Sequence, residues 1–403
     1  MKENFKKKIL KNGMTVMLEK RDLPIVSVIL AAKMGSNYEE MSHKGISHFI
    51  EHMLYKGTSK RTAKDIAKDL EKNGGEVNGF TNEEMTGYWC KMPSSKLNIA
   101  LDVLSDMVKN SLFDEKELEK ERKVIFEEIK MRRDTPRIHV LDEIQKNLFS
   151  GVMAIDTIGT QETMNFIDRN EIIKVFGNSY TSDNLILCVV GDANFKDLVK
   201  FAEENFGEDK KNVSEKEVEL KNEIRFEKRK GLDQANLVFA YHSPLANDDM
   251  KYAANILITL MAGGLSSRLF SEIREKRNLV YSILGGLEAN KNYSYSYIYA
   301  GTMKENVEEV KRLILEEYEK VSKELTEEEF SAIKDQLIGQ YSISMEESQI
   351  QMVNLLAREV HGNAEDFYNY PEKIKAVRLE DVKKLASKVK EGNYSFFALV
   401  PED

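Results

Sequence analysis

One order of strands and helices occurs twice along these 403 residues. A chain made of two copies of one packing unit must fold as two related halves. In the first copy an Asn12-Gly13 turn joins strands Lys7 to Leu10 and Met14 to Glu19, with Val26 to Met34 next. Helical patterns at Gly45 to Tyr55 and Thr62 to Asn73 precede strands Glu76 to Thr81 and Thr86 to Met92. Long helices follow at Ser94 to Asn110, Asp114 to Arg133 and Arg137 to Phe149, with a late strand at Asn184 to Val190. After a charged stretch from Gly207 to Asn222, strands Ile224 to Lys228 and Ala235 to His242 restart the order. Helices Asp248 to Met261 and Ser267 to Lys276 follow, then strands Leu279 to Leu287 and Tyr293 to Thr302. Helices Glu305 to Ser322 and Thr326 to Ser344 and a final strand, Tyr394 to Val400, complete the second copy. Aligning Asp114 with Thr326 sets Leu118 on Phe330 and Ile125 on Leu337, apolar on apolar. The expected architecture is α+β, two homologous halves, each a mixed β-sheet packed with helices. The expected division is 1–214 and 215–403.

Composition narrows the function classes. The 59 Lys and Arg against 68 Asp and Glu leave a net charge of −9, which gives no basic surplus for nucleic acid. The two cysteines, Cys90 and Cys188, cannot build a disulfide framework. No apolar run reaches membrane-helix length, and the Lys-rich start lacks a signal-peptide core, so a cytoplasmic protein without membrane or nucleic-acid partners is expected.

The chemistry concentrates in His48-Phe49-Ile50-Glu51-His52. Residues four apart share a helix face, so both imidazoles reach one point, with Glu51 beside them. This is the inverted zincin order, His-x-x-Glu-His. A catalytic zinc needs a third protein ligand and an open position. Glu121 and Glu128, seven apart, fall on the apolar stripe of Leu118, Ile125 and Ile129, where a carboxylate needs a metal or a cation such as Arg132. Their counterparts in the second copy are Ile333 and Gln340, and Tyr252 to Thr259, the counterpart of the motif helix, holds no histidine. Only the first half carries the suspected metal set.

These features resemble the inverzincin metallopeptidases of the insulinase, pitrilysin and mitochondrial-processing-peptidase group, family M16, in its short two-repeat form. The matching text is Gly45 to Thr58, Asn78-Gly-Phe-Thr81 and Glu121 to Ile129, with Gly263 to Phe270 and Ile273 to Tyr281 in the second half. The resemblance spans essentially the whole chain and implies a processing-peptidase-like metallohydrolase fold. It implies one Zn²⁺ per chain held by His48, His52 and Glu128, with Glu51 as general base and Glu121 orienting a ligand imidazole. Asn78, Gly79, Phe80 and Thr81 would offer a strand edge to an extended peptide. Arg274 and Tyr281 would hold the substrate backbone, with the Tyr281 hydroxyl on the oxyanion. Family members often carry Ala where this chain has Gly79. The implied activity is endopeptidase cleavage of peptides or unfolded segments in a closed chamber. A homodimer, or a heterodimer with a related chain, is implied because larger single-chain relatives hold four repeats. The alternative is a non-catalytic scaffold or binding subunit, but such subunits usually lose the ligand set present here. His43 reads as a loop residue near the site, and His139, His242 and His361 as structural or exposed. The run Tyr293 to Tyr299 alternates as a half-buried strand does.

Overall fold

A computed structural model of the chain describes residues 4–211 and 213–402. It resolves into two compact units, one of 1–129, 155–216 and 344–368, the other of 130–154, 217–343 and 369–403. The passage at 216/217 falls inside the predicted linker, two residues beyond the expected cut. A single cut nonetheless misses an exchange. Residues 130–154 belong with the second sheet, and 344–368 belong with the first.

In the first unit, strands β1 (Phe5–Ile9), β2 (Thr15–Lys20), β3 (Ile25–Ala32), β4 (Glu76–Thr81), β5 (Thr86–Pro93) and β6 (Leu185–Gly191) form one sheet in the order β1-β2-β6-β3-β5-β4. β2 runs parallel to β6, and every other pairing is antiparallel. In the second unit, β7 (Ile224–Arg229), β8 (Ala235–His242), β9 (Val280–Ala289), β10 (Ser294–Thr302) and β11 (Ser395–Pro401) order as β7-β11-β8-β10-β9, again with one parallel pair, β7 with β11. Matching β2, β6, β3, β5 and β4 to β7, β11, β8, β10 and β9 reproduces every orientation, so the halves are homologous as the repeat predicts. β1 is the one strand of the first sheet without a counterpart among the described residues.

The central strands are apolar on both faces because helices cover both. Val26, Val28, Leu30 and Ala32 of β3 point into a core shared with helices α1 (Ile46–Leu54), α2 (Ala63–Glu71), α3 (Leu97–Asn110) and α4 (Glu115–Asp134). The alternate residues Ile29 and Ala31 are equally buried, and the helix Ser348–Val360 packs on that second face, across β3 and β6. Gln351 of this helix donates to the buried Glu19 carboxylate of β2 at 2.6 Å, and Tyr368 donates to the same oxygen. The second sheet repeats the plan. One face meets helices Met250–Ala262, Val307–Glu324 and Glu327–Ser344, while Val140, Ile144, Leu148 and Phe149 pack beneath Val238, Ala240, Phe397 and Leu399. The helix expected over Ser267 to Lys276 is present over 268–275, with Phe270–Glu275 wound as a π-helix. No helix among the described residues is long and apolar enough to cross a membrane.

Candidate metal centre

Helix α1 begins at Gly45, whose φ of 94° suits glycine and where a Cβ would fall 2.6 Å from the Ile158 carbonyl oxygen. The Glu39 carboxylate accepts from the Gly45 and Ser47 amides, each at 2.8 Å, so a negative charge caps the positive end of the helix. Glu39 is itself buried, with the Lys44 ammonium 3.9 Å away. Helix α4 is set beside α1 by the buried Arg122. Its guanidinium lies 5.4 Å from the centre of the Phe49 ring and donates to the Met164 and Ile167 carbonyls.

This pairing of helices brings the predicted donors together. His48 Nε2 and His52 Nε2 are 3.3 Å apart, and Glu128 Oε2 lies 3.6 Å from the first and 3.7 Å from the second. A tetrahedral zinc with bonds of about 2.0–2.1 Å holds its donors roughly 3.3–3.5 Å apart, so the triangle is close to the one this ion requires. Among the described residues, these three form the one group of His, Cys, Asp or Glu that could hold a metal ion. Glu121 lies two helical turns before Glu128 on the same face and is buried. Its Oε2 is 3.1 Å from His52 Nδ1 and its Oε1 is 2.6 Å from Lys56 Nζ. The His52 Nδ1–H therefore donates to Glu121 and leaves the Nε2 lone pair facing the centre.

Glu51 is buried outside the triangle, and its Oε2 accepts from the Thr81 hydroxyl at 2.6 Å. Burial pushes its carboxyl up, with the Thr81 bond and His52 acting the other way and Glu128 adding to the rise. Thr81 ends β4, the edge strand of the sheet. Asn78 is exposed there, and its side-chain oxygen accepts from the Gly79 amide at 2.8 Å. Phe80 lies against Gly87 of β5.

Arg274 and Tyr281 lie in the second unit. Arg274 lies in the last part of the π-helical turn, its guanidinium 4.9 Å from the centre of the Phe270 ring and its side chain 42% exposed. Tyr281, 47% exposed, stands at the start of β9 with its ring over Gly301, where a Cβ would fall 2.1 Å from it. The cation on Glu121 is Lys56. Arg132, the residue considered from sequence, instead pairs with Asp142 at 2.7 Å. Lys56 escaped the sequence reading although it stands four residues past His52, one helical turn on. The remaining histidines have structural roles. His139 pairs with Glu227 and His361 with Glu84, both at 2.7 Å, while His242 lies 2.9 Å from the Lys221 carbonyl. His43 sits beside Ser42, its Nδ1 3.1 Å from the hydroxyl.

Comparison with known proteins agrees with this geometry. Residues 15–161 match the family described as insulinase (peptidase family M16), and 167–337 match its "inactive domain". The chain is 30% identical to the "uncharacterized zinc protease YmxG" of Bacillus subtilis (strain 168), over 97% of both chains. It is 31% identical to an "uncharacterized zinc protease" of Rickettsia felis, over 96% of both. Its fold matches a crystallised protease from Helicobacter pylori with a TM-score of 0.92 at 22% identity, covering 98% of this chain and 99% of that one.

Proposed function

The chain belongs to peptidase family M16, the insulinase family, and from that membership we propose that it is a zinc-dependent endopeptidase acting on peptides or unfolded segments. The observation that carries this reading is the triangle of His48, His52 and Glu128 donor atoms with the Glu51 carboxylate next to His52 on the same helix. His48, His52 and Glu128 would hold one zinc per chain. Bound there, the ion would supply Lewis acidity, which lowers the pKa of water and polarises a peptide carbonyl. Glu51 takes the proton of the attacking water and delivers it to the departing amine. The Thr81 hydroxyl holds one Glu51 oxygen, Oε2. Glu121, neutralised by Lys56, holds the His52 ring in one tautomer and orientation.

An extended peptide would add to β4 along Asn78, Gly79, Phe80 and Thr81. The edge position of this strand supports that reading. Arg274 and Tyr281 would hold the substrate backbone, with Tyr281 donating to the oxyanion; their exposure supports a role toward a ligand. The resemblance in sequence supports a chamber completed by a second chain, as a homodimer or with a related partner. The net charge of −9 supports a protein that does not bind nucleic acid.

The test measures metal content and cleavage of a quenched peptide library by the wild type and Glu51→Gln. Zinc is expected in both chains, with turnover lower by about 10²–10⁴-fold in the variant. Unchanged cleavage by Glu51→Gln would refute the mechanism. Zinc binding without cleavage by the wild type would favour a scaffold subunit.

A further inference from the structure

Tyr55 closes α1 one turn after Glu51, and its hydroxyl is buried without a hydrogen-bond partner among the described residues. A buried phenol rarely gives up a hydrogen bond without reason, since an unsatisfied hydroxyl lowers stability. What it faces is shown by Gly79. A Cβ on that residue would lie 2.9 Å from the Tyr55 hydroxyl, 2.9 Å from Glu51 Oε1 and 3.2 Å from Glu51 Cγ. The hydroxyl and the second carboxylate oxygen of Glu51 thus point into one gap, which exists because residue 79 has no side chain. The φ of Gly79 lies outside the left-handed region, so backbone conformation does not demand glycine there. Space does.

We propose that Tyr55 and Gly79 are a matched pair that positions the Glu51 carboxylate from the side opposite Thr81. Thr81 holds Oε2 at 2.6 Å, and the Tyr55 hydroxyl, unbonded in this structure, would close across the gap to donate to Oε1 in the working site. Each carboxylate oxygen offers two lone pairs, so both hydroxyls can donate while one lone pair on each oxygen stays free, that on Oε1 for the water proton. Burial, with the Glu51 charge next to it, pushes the phenol far up and keeps it a donor at neutral pH. Tyr55 acts through Glu51 and is a positioning residue. This catalytic part rests on the general-base role proposed for Glu51, but the steric match of the pair does not.

The test is a double-mutant cycle of the wild type, Tyr55→Phe, Gly79→Ala and the combined variant. It reads zinc content, thermal unfolding and steady-state cleavage of a quenched peptide. Tyr55→Phe is expected to lower kcat roughly tenfold, the worth of one hydrogen bond to a charged group, with KM and zinc content unchanged. Gly79→Ala is expected to lower both kcat and the unfolding temperature in the wild-type background, and to lower the unfolding temperature much less when combined with Tyr55→Phe. A Tyr55→Phe kcat equal to wild type would overturn the positioning role. Strictly additive effects on unfolding would overturn the match. If the wild type cleaves nothing, the peptidase reading fails by itself, and coupling on the unfolding axis still decides whether the pair is matched.

Discussion

Helices α4 and Glu327–Ser344 occupy corresponding places in the two halves, yet their inward faces solve different problems. Leu118 and Ile125 in the first, and Phe330 and Leu337 in the second, are all buried and make the same core contact. Between them the second half buries Ile333, while the first buries Glu121. The apolar residue needs only neighbours. The carboxylate needs two partners, His52 and Lys56, to offset its desolvation. One frame therefore carries either a plain core or a charged relay. The difference teaches that the fold does not require the metal set, which is an addition maintained at local energetic cost.

Writing second-half residues into the first half breaks the comparison in graded steps. Glu128→Gln copies Gln340 and removes a donor of the triangle. Zinc affinity should fall by more than the roughly 10–100-fold that an outer partner is worth, with cleavage abolished. Zinc titration against a chelator of known affinity checks this; retained stoichiometric zinc would remove Glu128 from the ligand set. Glu121→Ile copies Ile333. Zinc affinity should drop roughly 10–100-fold, while the metal-free chain keeps its stability within about 1 kcal/mol, because Lys56 can turn to solvent. Denaturant unfolding in the presence of chelator measures the second quantity. The reverse exchange, Ile333→Glu, buries a carboxylate that has neither histidine nor lysine waiting and should cost about 3 kcal/mol in the same unfolding assay. A neutral result would mean that the second half tolerates the charge as well as the first does. Lys56→Met is the mildest change. It leaves Glu121 on His52 but without its cation, and zinc affinity should change only a few-fold, less than for Glu121→Ile, since the pair is partly exposed.

Much of this was legible in the sequence because the deciding spacings are short. Positions 48, 51 and 52 share one helical turn, and 121 and 128 lie two turns apart on one stripe, so periodicity set each group on one face, and the family resemblance joined the two. The stretch Val26 to Met34 was also legible as a strand, but not that helices cover both of its faces. What local pattern could not say is which helix provides that cover. The apolar face of Ser348–Val360 shows that it must be buried, but nothing in its spacing distinguishes the nearer sheet from the distant one. The partners Lys56 and Thr81 were illegible as partners for a related reason. A lysine four residues past a histidine is common, and only the approach of α4 and β4 gives these side chains something to hold.

The exchanged helices also bear on how the protein is made. The first sheet has its strands in hand once residue 191 has been synthesised, yet the helix that closes its second face ends at residue 360. At ordinary rates of synthesis that interval lasts on the order of ten seconds. Through it Ile29, Ala31 and Cys188 lack the cover they have in the finished unit. The half bearing the histidines is thus first to begin folding and among the last to be sealed. A nascent chain halted before residue 348 should therefore be protease-sensitive along β3 and β6 even with its metal ligands all present.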